Sequence, residues 1–242
     1  MLDFNKFRPL LGTWADKLQP FFESEEAYKI YEFLKKESQR GKTITPEAKN
    51  VYKAFEYCPL TELKTVWIGL SPYSTVFNTQ FGKTYVADGL AFSCSITGKE
   101  QPSLSLIWDS IEKDLYNGLN LNMKRETDLS FWAAQGVLLL NSSLTVEKDK
   151  PESHLELWKP FMKYLFENVF NTISGIPFVF FGKQATQYQP LTQPFIHYSK
   201  VVEHPAFAAR QNREFKHENL FSWINKLLKE NNGTQIVWDL PF

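Results

Sequence analysis

Four short apolar runs punctuate the chain beyond its first quarter: Thr65-Val-Trp-Ile-Gly-Leu70, Gly136-Val-Leu-Leu-Leu-Asn141, Pro177-Phe-Val-Phe-Phe-Gly182 and Tyr198-Ser-Lys-Val-Val-Glu203. They are too short and too continuously apolar for amphipathic helices and predict strands buried on both faces. Helical patterning separates them, over Ser103–Leu115, Leu129–Gln135, Leu157–Asn171 and Lys183–Tyr188, with a last helix over Glu218–Glu230. Ahead of the first run, Ala27, Ile30, Tyr31 and Leu34 recur at helical spacing behind Ser24, a residue suited to cap a helix. Thr45-Pro46-Glu47 predicts a second helix opened by proline and carrying Val51, Ala54 and Phe55. Strands alternating with helices predict an α/β fold: a three-layer α/β/α arrangement around a central, mainly parallel four-stranded sheet. There is no internal repeat, Ser/Gly linker or charge block, so residues 1–242 are expected to form one domain.

Each apolar run ends in a polar or Gly/Pro-rich turn. These are Gly69-Leu-Ser-Pro-Tyr-Ser74, Asn141-Ser-Ser-Leu-Thr145, Gly182-Lys-Gln-Ala185 and His204-Pro-Ala-Phe-Ala-Ala-Arg210. In open α/β sheets ligands bind beyond the carboxyl ends of the strands. The four turns therefore predict one shared pocket.

Composition narrows the class of protein. The 27 basic and 27 acidic residues cancel, which excludes a polycationic coat or an acidic tail but leaves room for a local basic patch. With 7 Trp, 10 Tyr and 21 Phe, the chain has the means to build a large core. No run approaches the roughly 20 apolar residues of a membrane span, and the opening MLDFNKFRPLLGTW is too polar for a signal peptide. Cys58 and Cys94 lack a CxxC partner, which predicts a reducing, intracellular setting and no metal site. Phe81-Gly-Lys-Thr84 fails as a phosphate-binding loop, because Phe77 stands where that loop requires glycine.

Several residues at the turns carry usable chemistry. The Asn141 amide offers donors and an acceptor in one plane, which suits a nucleobase edge; a strand-end Asn also bonds local backbone. His204, biased toward extended geometry by Pro205, can stabilise a developing oxyanion or serve as a structural histidine. Phe92, in Asp88-Gly-Leu-Ala-Phe-Ser93, can stack on a base or pack in the core. Lys183, Arg210, Arg213 and Lys216 are candidate phosphate contacts or ordinary surface charge.

Taken together these segments resemble the uracil-DNA glycosylase superfamily, most closely its first branch. That branch carries G-Q-D-P-Y-H where this chain has Gly69-Leu-Ser-Pro-Tyr-Ser74, and H-G-L-A-F-S where it has Asp88-Gly-Leu-Ala-Phe-Ser93. Its P-P-S-L is similar to Gln101-Pro-Ser-Leu104. Its D-L-S-x-W-A-x-Q-G-V-L-L-L-N-x-x-L-T-V is matched almost throughout by Asp128 to Val146, followed by Ser153-His154. Its H-P-S-P-L-S corresponds to His204-Pro-Ala-Phe-Ala-Ala209. The resemblance implies a protein that flips a pyrimidine nucleotide out of single- or double-stranded DNA and cleaves its N-glycosidic bond without metal or cofactor. It implies that Phe92 stacks on the base, Asn141 reads its edge, Tyr73 crowds ring position 5, and His204 and the Leu70 N–H stabilise the leaving base. Ser103, Lys183, Phe207, Ala208 and Arg210 occupy its DNA-contacting positions.

The departures are equally specific. Ser71 replaces the acidic residue that supports the sugar cation, and Ser74 the neighbouring histidine. Asp88 is the natural substitute carboxylate. Ala206 and Ala209 replace two serines, and Phe207-Ala208 replaces the Pro-Leu whose leucine wedges into the duplex. The stretch Ser74 to Ala87, with Phe77, Phe81 and Tyr85, is longer than in the family and is expected to reshape the base pocket. Two readings follow: a glycosylase acting on uracil or a modified pyrimidine, or an inactive fold serving as a DNA-binding or protein-interaction module.

Overall fold

The computed structural model describes residues 2–117, 119, 123–192, 198–231 and 233–239. Its strands are β1 (Ile44–Thr45), β2 (Thr65–Gly69), β3 (Val76–Thr79), β4 (Gly82–Tyr85), β5 (Val137–Asn141), β6 (Val146–Glu147), β7 (Pro177–Phe181) and β8 (Tyr198–Val202). Its helices are α1 (Arg8–Leu11), α2 (Ala15–Phe22), α3 (Glu25–Gln39), α4 (Lys53–Tyr57), α5 (Pro102–Tyr116), α6 (Ser130–Ala134), α7 (Leu155–Tyr164), α8 (Gly182–Thr186), α9 (Pro205–Arg210) and α10 (Leu220–Asn231).

The four apolar runs form the central sheet in the order β5-β2-β7-β8, with every neighbouring pair parallel. Every residue of β2, β5 and β7 is buried, as expected where helices cover both faces. β8 is an edge strand and alternates less cleanly, with Tyr198 and Val201 exposed. The core behind the strand ends is aromatic: Trp67 stacks on Trp238 at 5.4 Å and meets Trp132 and Phe181 at 5.8 and 5.1 Å.

The predicted helices differ from the observed ones in informative ways. Ser24 caps α3, its hydroxyl accepting from the Ala27 N–H at 3.3 Å. On that helix Ala27 and Ile30 are buried, but Tyr31 is exposed. No helix opens at Pro46. Ile44 and Thr45 instead pair antiparallel with Glu147 and Val146, which holds the chain extended there; a short 3-10 helix follows over Ala48–Asn50, and α4 begins at Lys53. The segment predicted as Leu157–Asn171 is α7 followed by a wider π-type turn (Leu165–Val169).

The long Ser74–Ala87 connection contains an antiparallel hairpin, β3–β4. Phe77 and Phe81 are exposed, Phe81 at 92%. Lys83 donates to Thr43 Oγ1 at 2.8 Å, which turns the inner face of the hairpin toward β1 and α3.

Candidate active site

β2 and β5 run in register so that Gly69 lies beside Asn141 at their shared carboxyl end. Phe181 and Val202 likewise end β7 and β8 side by side. The loops leaving the strands are thus brought to one edge of the sheet, as the sequence pattern implied.

The site assembles around a glycine. A Cβ at Gly69 would stand 2.5 Å from Asn141 Oδ1 and 3.5 Å from Phe92 Cζ, so only glycine lets the amide and the ring converge. Ser142 secures the turn, its N–H and its hydroxyl both donating to the Gly69 carbonyl at 3.0 and 2.8 Å. Asn141 is 8% exposed; its side-chain amide has no hydrogen-bond partner among the described residues and keeps its polar atoms open to solvent. It is not the locally satisfied strand-end Asn that the sequence left open.

Phe92 holds φ +67°, a left-handed conformation costly for a bulky residue and characteristic of functional sites. Two bonds hold this segment in place. Ala91 N–H donates to the Leu139 carbonyl at 3.0 Å, and Tyr73 Oη donates to the Phe92 carbonyl at 3.1 Å. The Phe92 ring meets Phe181 at 4.9 Å and the His204 imidazole at 5.8 Å. Tyr73 is anchored in turn by Thr45, whose hydroxyl donates to its carbonyl at 3.3 Å, and burial raises its phenol well above the ordinary range. It is therefore a neutral donor with a fixed ring.

His204 caps α9 in extended geometry. Its Nδ1 accepts from the Ala206 N–H at 3.2 Å, which leaves the proton on Nε2. Burial, reinforced by the Arg210 charge, lowers the imidazole to about 4, so it is neutral at pH 7. Gly182 makes room for it: a Cβ there would lie 2.8 Å from His204 Cβ, and φ is +78°. The sequence signal was present, a glycine ending each of two apolar runs, but only the fold shows what each approaches.

Leu70 and Ser71 follow β2 and are partly exposed; the Ser71 hydroxyl has no hydrogen-bond partner among the described residues. Asp88 is not available to replace the missing acid. It is fully buried, Oδ1 accepting from the Leu90 N–H at 3.1 Å. Oδ2 accepts from the Ser93 hydroxyl (2.6 Å), the Ser95 N–H (3.0 Å) and the Ser95 hydroxyl (2.6 Å), with Lys53 Nζ at 3.8 Å. A carboxylate so occupied knits its own loop together and cannot orient water.

Of the candidate DNA contacts, Lys183 on α8 and Arg210 on α9 are exposed and carry no salt bridge among the described residues, and so does Lys216. Phe207 is 45% exposed. Ala208 is wholly buried and cannot touch DNA, because α9 turns that side to the core. Ser103 is buried in the first turn of α5, where the contact left to it is through its main-chain N–H. Arg213 is not free: it forms a two-pronged pair with Glu203 and lies over the Phe207 ring at 5.5 Å. That pairing, invisible in sequence, braces the exposed phenylalanine. No cluster of three or more His, Cys, Asp or Glu able to hold a metal occurs among the described residues. None of their helices is long and apolar enough to cross a membrane.

Residues 55–229 match the family model described as the Uracil DNA glycosylase superfamily. A uracil-DNA glycosylase of Pseudomonas aeruginosa is 34% identical over 233 residues, covering 96% of this chain and 95% of the relative. One from Campylobacter lari is 34% identical over 229 residues, 94% of each. Among solved structures, mimivirus uracil-DNA glycosylase superposes with a TM-score of 0.85 at 22% identity, over 99% of this chain and 90% of that one. The enzyme of Nitratifractor salsuginis gives 0.59 at 17% identity, over 89% and 99%. These two share the fold. The family match and the bacterial relatives go further, and on them the chain belongs to the uracil-DNA glycosylase superfamily.

Proposed function

We propose that this protein is a DNA glycosylase that draws a pyrimidine nucleotide, uracil or a modified pyrimidine, out of DNA and hydrolyses its N-glycosidic bond. The observation that carries the reading is the trio around Gly69: an unpaired Asn141 amide, a Phe92 ring held in strained geometry, and a neutral His204 with its proton on Nε2. A base stacked on Phe92 presents its polar edge to Asn141. As the C1′–N1 bond breaks, its electron pair passes to the base and charge collects on O2. The His204 Nε2–H and the Leu70 N–H stabilise that charge as fixed donors in a water-poor site. Water adds its oxygen to C1′, and the proton it releases ends on the departed base anion, giving an abasic sugar and a neutral pyrimidine. Tyr73, locked by its bond to Phe92, excludes a 5-methyl group.

Lys183, Arg210 and Lys216 supply phosphate contacts, and Phe207 fills the space that the extruded nucleotide leaves in the duplex. This small patch suits a protein with zero net charge. The whole chain acts as one unit, in an intracellular setting.

The test is single-turnover incubation with oligonucleotides bearing uracil, 5-hydroxymethyluracil and modified cytosines, scored for abasic sites. Product from at least one is expected; none at high protein excess overturns the enzyme reading. Ser71→Asp restores a carboxylate beside the sugar and is expected to raise uracil excision about hundredfold. The second reading, a binding module without chemistry, is favoured by Ser71 and by the full engagement of Asp88. Tight binding of uracil-containing DNA with no product, before and after Ser71→Asp, would establish it.

A further inference from the structure

A cavity lies away from the strand ends, beneath α3, with a volume of about 700 Å³. That is within the range of small-molecule sites, roughly 300–1,000 Å³. It shares no lining residue with the trio around Gly69, Tyr73 or His204. Its lining includes the apolar Ile30 and Leu34 of α3 together with Phe22, Ile44 and Tyr52. Its charged lining is made of the exposed Lys35, Lys42, Lys49 and Lys83, which outnumber the single acid, the partly exposed Glu47.

The four lysines are not equivalent. Lys42 is committed to Glu37 and Glu147, and Lys49 and Lys35 lie 2.9 and 3.4 Å from Glu47 and Glu32. Lys83, on β4, has no carboxylate partner among the described residues and donates only to the Thr43 hydroxyl. Its ammonium is therefore uncompensated and can exchange a neutral acceptor for an anionic one. The hairpin β3–β4, within the stretch that is longer than in the resembled family, supplies both this lysine and the neighbouring Tyr85 wall.

We propose that this cavity is a binding site for an anionic amphiphile, a ligand with an aliphatic or aromatic body and one carboxylate or related anionic head. The body lies against Ile30, Leu34 and Tyr52, and the head meets Lys83. Burial of apolar surface supplies most of the affinity, and the lysine selects the charged head over a neutral one. A cationic amphiphile is disfavoured by the same excess of lysine.

The experiment is calorimetric titration of the full chain with decanoate and, as the neutral counterpart, decanol. Saturable binding of decanoate at one site per chain is expected. Lys83→Glu, on an exposed hairpin and therefore compatible with folding, is expected to weaken decanoate about tenfold and to leave decanol unchanged. Leu34→Trp fills the cavity and is expected to abolish both; thermal melting reports whether that variant folds, and the Lys83→Glu result decides the matter if it does not. Uracil-containing oligonucleotide is expected not to displace decanoate. Absence of saturable binding, indifference to Lys83→Glu, or displacement by the oligonucleotide overturns the proposal.

Discussion

At the scale of single residues, the contrast between Asn141 and Asp88 shows how differently two buried polar side chains can be used. Asn141 is largely buried, but its amide has no protein partner among the described residues and still reaches solvent, so it is free to pair with a ligand. Asp88 is enclosed and saturated, with four donors and a lysine around it. Asp88→Asn is therefore expected to act on stability. The amide would set an NH₂ group against hydroxyl and N–H donors and leave Lys53 without its counter-charge. A loss of about 3 kcal/mol, measured by urea unfolding, is expected. If the variant keeps wild-type stability but loses base excision, Asp88 takes part in the chemistry after all.

At the scale of elements, the site depends on how closely strand ends and helix starts approach one another. Gly182 follows β7 directly and lies against His204, so Gly182→Ala forces a Cβ into His204 at a φ that disfavours it. A backbone penalty of about 1–3 kcal/mol is expected, together with a loss of base excision exceeding what the unfolded fraction explains. Normal excision by folded Gly182→Ala would remove His204 position as a determinant. On α9, Phe207 is exposed and braced by Arg213, itself held by Glu203. Phe207→Ala is expected to change stability by less than about 0.5 kcal/mol while weakening binding to duplex DNA more than to single strands. Equal weakening on both would argue against a wedge.

At the scale of the whole molecule, acid sensitivity follows from three histidines that burial keeps neutral. His154, His204 and His217 all have lowered values, His204 to about 4. In the unfolded chain they titrate near 6.5. As pH falls below that value the unfolded state takes up protons that the native state does not, so stability declines from about pH 6.5 to about pH 4. Below that, protonation of Glu37, Glu147 and Glu203, held low by their lysine and arginine partners, removes further stability. Melting temperature is expected to drop steadily across this window. Excision is expected to lack a histidine inflection between pH 5.5 and 8, because His204 stays neutral throughout; a limb near 6.5 abolished by His204→Gln would contradict this.

Much of this protein was legible from its chain. Continuous apolar runs such as Val137–Leu140 can be satisfied only by burial on both faces, so they announced a parallel sheet and pointed to its carboxyl edge as the place for a pocket. The motif residues Tyr73, Phe92, Asn141 and His204 stood out because their local sequence is so specific. What remained hidden depends on contacts between distant segments. That Asp88 is spent on Ser93, Ser95 and Lys53, that Ala208 faces inward, and that Arg213 belongs to Glu203 are facts of packing, which no spacing along the chain encodes. The sequence by itself determined the layers and the edge at which they meet. The tertiary structure alone decided which polar groups are consumed in holding that edge together and which are left open, because hydrogen bonding is settled only when remote donors and acceptors share the same interior.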